Sequence, residues 1–448
     1  MKQYDAIVIG AGIAGLGVAG LLQSKGIKTL VLEKSKMVGG RAKTYEIPGG
    51  WRVDSGTHCV NLGEHSACAQ LLKRLGKEIK WSRPIEGLMV FHEGKWMYVE
   101  EYLNLSDKET EELSAIEKRI LMSTDEEIEG LDTLSLAQFI KENVNSLKIA
   151  EYFEIIGMVQ TTLTEPKNIS AGEFVYIYRD SIKFGGKGML KGNVKMPVGG
   201  IGVMVGAEAE AVSSMGGIIQ LNTPVREIEI IHKGPGAVLT DTEEYKASIV
   251  VLAMPLWRLG KVLPVQETNS PLPRPWCERI NGLVEETSAS MGFTVGTSTP
   301  LFTEPVYLSH RKLSSVNLPL QVLGHTLFDE TIAPPGHMIA FIGTPCTPEQ
   351  ARNNTFREQT LQAFWETIKV MFPKIKEGLV WKRDGHYIGV DGLSRSPGLT
   401  GRHRPQVFLP EIPGLYFAGD CYAGRGIGMN AAARSAMICA NKILEDIK

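Results

Sequence analysis

Hydrophobic and polar positions near the start of the chain follow a regular order. The apolar run Ala6–Ile9 leads directly into the glycine-rich segment 10–15, and apolar residues then recur at the spacing of one helical face. A second apolar run, Thr29–Leu32, ends at Glu33. This succession of strand, glycine turn, helix, strand and acidic residue within about thirty residues predicts a dinucleotide-binding unit.

Each glycine of this turn has a separate physical role. Gly10 permits the tight turn, Gly12 lets the backbone approach a pyrophosphate, and Gly15 lets the helix pack close to the sheet. The free N–H groups at the start of the helix then attract the phosphate charge. Glu33 ends the second strand, where a carboxylate can accept hydrogen bonds from an adenosine ribose. A glycine motif alone is weak evidence, but here every part is in register.

The hydrophobic pattern changes after residue 87. It predicts strands at 88–91 and 95–99, followed by several helices. Two of these helices begin at capping boxes, in which a serine precedes a glutamate or glutamine by three residues. The boxes are Ser106/Glu109 and Ser135/Gln138.

From residue 196 the pattern returns to that of a nucleotide domain. The predicted elements are a glycine turn at 197–202, a helix to about 214, and strands at 218–221, 225–231 and 249–253. Residues 257–382 are predicted to be irregular, apart from a helix that Thr347 and Gln350 cap. The end of the chain predicts a strand at 414–420, a glycine-rich turn at 421–428 and a helix at 429–447.

The alternation of these two kinds of hydrophobic pattern predicts two interleaved domains. A chain of 448 residues is long enough to form them. Residues 1–87, 196–256 and 384–448 are assigned to the nucleotide-binding domain. Residues 88–195 and 257–383 are assigned to a substrate-binding domain.

Composition and charge narrow the class of protein. Hydrophobic residues make up 43% and charged residues 22% of the chain, which is ordinary for a globular protein. The formal net charge of −2 gives no electrostatic reason to expect nucleic acid as a partner. The uncharged stretch 6–22 contains five glycines and matches neither a membrane span nor a signal peptide, so we expect a cytoplasmic protein.

The six cysteines are scattered without a CxxC pair. This spacing favours reduced thiols over disulfides or zinc ligands, and no metal site is predicted.

Several segments together resemble one superfamily, the FAD-dependent oxidoreductases of the flavin amine oxidase and phytoene desaturase type. The matching segments are 10–15 with Glu33, 38–41, 53–56, 197–200, 223–228, and 415–420 with 424–436. The pair Arg404-Pro405 looks more like the branch of carotenoid desaturases and retinol saturases. The chain is shorter than we expect of carotenoid desaturases, which argues against a very long polyene substrate.

The resemblance implies an α/β fold: a Rossmann-type (GR2-like) FAD-binding domain interleaved with an α+β substrate domain, in an amine oxidase-like architecture. It implies that FAD is bound by residues along the whole chain. Pyrophosphate, ribose, adenine and the flavin ring would be held by Gly10, Gly12, Ala14, Gly15, Glu33, Lys34, Gly39, Gly40, Arg41, Val225, Gly419, Asp420, Gly428 and Met429.

The resemblance also implies a reaction, in which a hydride moves between flavin N5 and a C–C or C–N bond of a small or medium lipophilic substrate. Candidate proton donors or acceptors are His58, His386 and Tyr387. Candidate pocket residues are Met158, Phe174, Tyr176, Tyr178, Phe184, Met291 and Phe293.

Three further questions stay open at this point. A redox-neutral isomerase or mutase is the first alternative, and a non-enzymatic prenyl carrier resembling GDP-dissociation inhibitors is the second. Because no second GxGxxG segment for NAD(P)H is present, oxygen, a quinone or a protein carrier is expected as the external electron acceptor or donor. Peripheral membrane contact is neither predicted nor excluded.

Overall fold

The computed structural model describes residues 2–56, 59–185, 191–231 and 234–448. The strands in this part of the chain are β1 Lys2–Gln3, β2 Ala6–Ile9, β3 Thr29–Leu32, β4 Lys43–Ile47, β5 Trp51–Ser55, β6 Val60–Asn61, β7 Leu88–His92, β8 Lys95–Tyr98, β9 Val194–Lys195, β10 Ile218–Gln220, β11 Val225–Ile231, β12 Gly234–Thr240, β13 Glu244–Lys246, β14 Ile249–Leu252, β15 Thr287–Thr297, β16 Tyr307–Leu313, β17 Leu318–Gly324, β18 Met338–Cys346, β19 Leu379–Leu393 and β20 Leu415–Phe417. The helices are α1 Ile13–Gln23, α2 Ala67–Arg74, α3 Val99–Leu103, α4 Asp107–Met122, α5 Asp125–Gly130, α6 Leu136–Asn143, α7 Leu147–Thr161, α8 Ala171–Lys183, α9 Gly202–Ser214, α10 Arg274–Gly282, α11 Pro348–Arg352, α12 Asn354–Met371, α13 Ile375–Gly378 and α14 Gly428–Asp446.

A five-stranded parallel sheet joins the beginning, middle and end of the chain. Its strand order is β10-β3-β2-β14-β20. The strands β2, β3, β14 and β20 are buried along their whole length, as expected of a parallel sheet covered on both faces. Helix α1 packs against α9 and α14 beside this sheet. The predicted Rossmann-type unit is confirmed.

A second, seven-stranded sheet has the order β19-β15-β18-β17-β16-β7-β8. Five of these strands lie in the stretch 257–393, so the prediction that residues 257–382 are irregular was wrong. The strand β17 is buried at every position, and β15 at all but one. Because both faces are covered, the alternation of apolar and polar residues by which half-buried strands are found is missing.

A bundle formed by α3–α8 lies between the strands β8 and β9. The predicted capping boxes at Ser106 and Ser135 are present, and a third occurs at Thr124. The single helix predicted after Thr347 is two helices, α11 and α12. The break occurs because Asn353 leaves helical geometry and its side chain caps α12 by accepting from the Phe356 N–H.

The predicted domain boundary between 383 and 384 falls inside the strand β19. This strand pairs with β15 from Leu379 to Leu393, so its polar middle does not mark a break in the structure. The division into two domains otherwise stays a prediction. None of the helices described for this chain has the length and hydropathy needed to cross a membrane.

Candidate active site

The glycine turn between β2 and α1 has the geometry that its sequence predicts. Gly10 has a φ of +108°, and a Cβ there would lie 2.5 Å from the Ala253 carbonyl oxygen. A Cβ at Gly15 would lie 1.9 Å from the Gly10 carbonyl oxygen. Glycine is therefore required at both positions, at Gly10 by the backbone conformation and at Gly15 by the close approach of helix and turn.

Gly12 and Gly40 face a space that the protein itself leaves open. A Cβ on Gly12 would meet nothing closer than the Gly39 oxygen at 4.0 Å, and one on Gly40 would meet only the Gly12 Cα at 3.5 Å. The two segments are joined by the Gly39 N–H, which donates to the Ala11 oxygen at 2.7 Å. No side chain caps the start of α1, where Ala14 lies in the first turn. The backbone N–H groups at the start of α1 are therefore free of a side-chain partner, and together with Gly12 and Gly40 they fit a diphosphate.

The Glu33 carboxylate is fixed at the end of β3 and only 6% of the residue is exposed. Its Oε2 accepts from the Ala11 N–H at 2.9 Å and its Oε1 from the Ser35 N–H at 2.8 Å. The Glu33 carbonyl oxygen accepts from the Thr223 N–H, which brings the start of β11 and Val225 to the same edge of the sheet. This acceptor suits a ribose hydroxyl, whereas the neighbouring Lys34 is exposed.

Arg41 and Asp420 meet across almost the whole length of the chain. Arg41 Nη2 donates to Asp420 Oδ1 at 2.6 Å, and Asp420 is buried. Gly392 makes room for this carboxylate, because a Cβ there would lie 2.4 Å from Asp420 Cγ. The buried Arg404 donates to the Asp420 carbonyl oxygen, which gives the Arg404-Pro405 motif a structural role. Beside this pair, the Gly419 N–H donates to the Ser435 hydroxyl oxygen at 3.2 Å.

A cavity of about 160 Å³ adjoins the start of α14. Among the predicted FAD-binding residues, Gly428 and Met429 form part of its wall. Its described lining comes from the nucleotide-binding elements, the helix α7 and the seven-stranded sheet. The lining residues are Gly56, Cys59, Val60, Asn61, Ile85, Val159, Gln160, Thr162, Val194, Ser290, Tyr307, Gln321, Phe341, Thr344, Pro345, Val390, Asp391, Ile427, Gly428, Met429 and Asn430.

Asp391 is the acidic residue of this described lining, and it is 5% exposed. Its carboxylate accepts a hydrogen bond from the Thr162 hydroxyl. Burial raises the pKa of Asp391, and the bond from Thr162 offsets part of that effect. The carboxyl group is thus suited to hold a proton inside the cavity.

Two other titratable residues line the cavity near Asp391. Burial, with a smaller contribution from the charge of Asp391, raises the pKa of the Cys59 thiol to about 12. Burial also raises the pKa of Tyr307. Both groups are protonated at neutral pH, so Cys59 lacks the thiolate character of a nucleophile.

The structure does not bring the predicted acid–base residues to this cavity. His58 lies outside the described residues. His386 is exposed and Tyr387 is 37% exposed, and neither lies in the cavity wall. Both lie on the exposed first half of β19, which becomes buried only from Gly389 onwards. Asp391, four residues after Tyr387 in the same strand, was missed, although an acid between apolar and glycine residues (Gly389-Val390-Asp391-Gly392-Leu393) was a usable signal.

None of the aromatic and methionine residues predicted to line a pocket lies in the described wall of this cavity. Phe174 and Tyr178 are fully buried and pack with Phe153 in the helical bundle. Phe184 stacks on His65 at the surface, with ring centroids 4.8 Å apart. The remaining four, Met158, Tyr176, Met291 and Phe293, are likewise absent from the described cavity wall.

A buried ionic cluster holds the segment that enters α14. Arg425 donates to both oxygens of Asp132, at 2.9 and 2.8 Å. The Gly426 N–H donates to Glu173 Oε1 at 2.6 Å, and the Gly426 oxygen accepts from Arg395 Nε at 2.9 Å. Asp132, Glu173 and Arg395 are at most 1% exposed. The helical bundle therefore positions the backbone of the predicted flavin-contacting turn.

Comparisons with known proteins agree with this arrangement. Residues 13–444 match the family model of the flavin-containing amine oxidoreductases. The chloroplastic prolycopene isomerase of Arabidopsis thaliana is 22% identical, over 99% of this chain and 83% of that protein. The hydroxysqualene dehydroxylase of Zymomonas mobilis is 37% identical, over 23% of this chain and 22% of that protein.

Solved structures share the fold. A crystal structure of an oxidoreductase from Methanosarcina mazei has a TM-score of 0.77 at 19% identity, covering 99% of this chain and 100% of that one. A putrescine oxidase bound to putrescine has a TM-score of 0.69 at 20% identity, covering 99% of each chain. The family model spans nearly the whole chain, and the open glycine cradle with its ribose carboxylate fits the cofactor. The chain therefore belongs to the family of flavin-containing amine oxidoreductases and is an FAD-dependent enzyme.

Proposed function

We propose that this enzyme moves a hydride between FAD and a C–C bond of a small or medium lipophilic substrate, as desaturases and saturases do. The observation that carries the proposal is the cavity beside Gly428 and Met429, whose described lining is uncharged except for one buried carboxyl group. When bound, FAD supplies the hydride acceptor or donor. A largely neutral wall suits an uncharged substrate.

We assign the proton that accompanies the hydride to Asp391. Its carboxyl group lies in the cavity wall, and its raised pKa lets it hold a proton closer to neutral pH than an ordinary aspartate does. Thr162 orients this group through its hydrogen bond. A C–N bond is the less favoured target, because a protonated amine needs an ionised counter-charge and burial disfavours ionisation of Asp391.

A redox-neutral isomerase is the second candidate. It is favoured by the likeness to prolycopene isomerases, which extends over 99% of this chain. Analysis of the products for a net change of two electrons separates the two candidates. The prenyl carrier is not retained, because the family consists of FAD enzymes and the cofactor cradle is intact. For a net redox reaction we propose oxygen, a quinone or a protein carrier as the external electron acceptor.

The test is the visible absorption spectrum of the purified FAD-loaded enzyme under anaerobic conditions. Lipophilic alkenes, their saturated analogues and matched amines are added one at a time. Bleaching of the flavin by a saturated compound, with formation of the alkene, supports C–C oxidation. Bleaching by amines alone contradicts it, and isomerised product without bleaching or electron transfer supports the second candidate.

A further inference from the structure

Two glutamine side chains in the cavity wall each have a polar atom without a hydrogen-bond partner among the described residues. These atoms are Gln160 Oε1 and Gln321 Nε2. Gln160 is 5% exposed and Gln321 is 6% exposed, so bulk water does not satisfy them. Leaving a buried amide group unpaired is unfavourable, and such groups in native proteins call for a specific explanation.

The two residues reach the cavity from different parts of the fold. Gln160 lies in the last turn of α7, and Gln321 lies in the middle of β17. The Gln321 Oε1 is already used, because it accepts from the Tyr307 hydroxyl at 2.8 Å. Turning this amide over would exchange its two atoms but would still leave one amide end unpaired.

Three other polar side chains of the same wall have partners within the protein. The Asn430 side chain donates to the Asn61 oxygen at 3.0 Å, and the Thr344 hydroxyl donates to the Pro345 oxygen at 3.0 Å. The Thr162 hydroxyl lies within hydrogen-bond distance of the Asp391 carboxyl group and of the Thr161 oxygen. Among the buried polar atoms of the described wall, the unpaired ones thus belong to the two glutamines. Both residues line the cavity and lie next to any molecule that occupies it.

The charge of the wall limits what that molecule can carry. The described lining contains no lysine, arginine or histidine, so a carboxylate or phosphate would lack a counter-charge. A hydroxyl or primary amide group, by contrast, accepts one hydrogen bond and donates another without being charged.

We infer that the substrate is a lipophilic molecule bearing an uncharged hydroxyl or carboxamide group, which accepts from Gln321 and donates to Gln160. This inference deepens the proposed function, on which its assignment to a substrate rests, and it excludes a pure hydrocarbon substrate. The two glutamines select the substrate by binding it and hold it in the cavity beside the predicted flavin-contacting residues Gly428 and Met429. The reacting bond is then a C–C bond near the polar group.

The test measures binding separately from turnover. Cinnamyl alcohol, cinnamamide, cinnamate and β-methylstyrene share one carbon skeleton and differ in the terminal group. Each is titrated into the FAD-loaded enzyme, and binding is followed by the perturbation of the flavin absorption spectrum and by calorimetry. We expect the alcohol and the amide to bind at least tenfold more tightly than the hydrocarbon and the anion. One good hydrogen bond to a buried amide is enough to give a tenfold difference in affinity.

Matched variants connect this preference to the two residues. Gln321→Leu and Gln160→Leu should each weaken binding of the alcohol and amide about tenfold and strengthen binding of β-methylstyrene. Gln362→Leu, at an exposed position of α12, is the control and should change neither. Retention of FAD and an unchanged melting temperature show that each variant is folded.

The outcomes distinguish this inference from the proposed function. Equal binding of all four compounds, preference for the hydrocarbon or the anion, or no binding at all overturns the inference. A preference that survives both leucine substitutions also overturns it. Selective binding that depends on the glutamines, without oxidation or reduction of the ligand by the enzyme, supports the inference while contradicting the proposed hydride transfer.

Discussion

At the scale of single residues, the site depends on whether the space beside each glycine is empty or occupied by protein atoms. Gly12 and Gly15 are three residues apart in one motif, yet their environments differ. A side chain at Gly15 would collide with backbone, whereas one at Gly12 would enter free space. Packing therefore requires glycine at position 15, whereas at position 12 we propose that the FAD diphosphate requires it.

Substitution of Gly12 by alanine should separate folding from cofactor binding. The apoprotein should keep its melting temperature, while FAD affinity should fall at least about tenfold, because a methyl group lies where the diphosphate approaches. Gly15→Ala, the matched control, should destabilise the apoprotein itself. The measurements are FAD titration and thermal unfolding of the apoprotein. Full FAD affinity in Gly12→Ala would mean that the diphosphate does not lie beside this residue.

Asp391 should control the pH dependence of turnover. Because burial raises its pKa, the limb of the rate profile that it causes should lie above the pH at which an ordinary aspartate titrates. Asp391→Asn should remove this limb and reduce the rate by about 10²- to 10⁴-fold.

Thr162→Val provides the matched comparison for Asp391. It removes a hydrogen bond that stabilises the carboxylate, so the limb should move to higher pH while FAD remains bound. Rates of the three proteins are measured from pH 4 to 9, a range chosen around the ordinary pKa of aspartate of about 3.9. An unchanged profile in both variants would assign the proton transfer to another group.

At the scale of secondary structure elements, the helical bundle and the last helix depend on each other. The cluster of Asp132, Glu173, Arg395 and Arg425 joins α8 and the turn after α5 to the segment that enters α14. Gly401 makes room for it, because a Cβ there would lie 2.3 Å from Asp132 Oδ2. Since this segment leads into Gly428 and Met429, its position also decides the shape of the cavity.

Breaking this cluster should cost both stability and FAD affinity. Asp132→Asn removes the buried carboxylate that bonds both Arg425 nitrogens and leaves Arg425 paired with Glu173 alone, and loss of one member of a buried pair costs about 3–5 kcal/mol. Arg402→Gln, which removes an exposed pair with Glu129, is the control and should cost at most about 1 kcal/mol. Denaturant unfolding and FAD titration measure the two effects. Equal, small losses in both variants would show that the cluster does not clamp α14.

The helix α9 contains a different kind of buried charge. Glu208 is fully buried, and neither of its carboxylate oxygens has a hydrogen-bond partner among the described residues. Burial raises the pKa of Glu208 well above its usual value. The folded state thus favours the protonated form, and its contribution to stability is lost as pH rises from the ordinary glutamate pKa of about 4.3 towards the raised one.

Replacing Glu208 with methionine should therefore stabilise the protein, and more so at pH 8 than at pH 5. A gain of about 1–3 kcal/mol at pH 8 corresponds to removing one unpaired buried polar group. Glu210→Met on the same helix is the control, since Glu210 is exposed and forms a surface ion pair with Lys77. Melting curves at the two pH values provide the measurement. A loss of stability at pH 8 would indicate that the carboxylate is paired.

At the scale of the whole molecule, FAD is expected to hold together elements from distant parts of the chain. The predicted contacts run from Gly10 to Met429, and Arg41 already meets Asp420 in the structure. Loading the apoprotein with FAD at 100 times its dissociation constant should add about 2.7 kcal/mol of stability. The resulting rise in melting temperature should appear in one calorimetric transition and should be absent in Gly12→Glu. Two transitions, of which FAD moves only one, would show that the halves unfold independently.

The local order of residues by itself determined the first strands, the glycine turn and the helix caps. The strands at Ala6–Ile9 and Thr29–Leu32, the glycine turn and the capping boxes at Ser106 and Ser135 follow from neighbours a few residues apart, so they were predicted correctly. The FAD-dependent family was likewise accessible from short motifs. Such features depend on backbone conformation and local hydrogen bonds, which the adjacent residues decide.

Only the tertiary structure decided the second sheet and the wall of the cavity. The strands β15 and β17 are buried on both faces, so they lack the alternation of apolar and polar residues that would have predicted them. Asp391, Gln160 and Gln321 are chemically ordinary in the sequence and become distinctive only when packing removes water around them. Burial and the pairing of polar groups depend on residues hundreds of positions away, which is why the substrate site could not be predicted from local pattern.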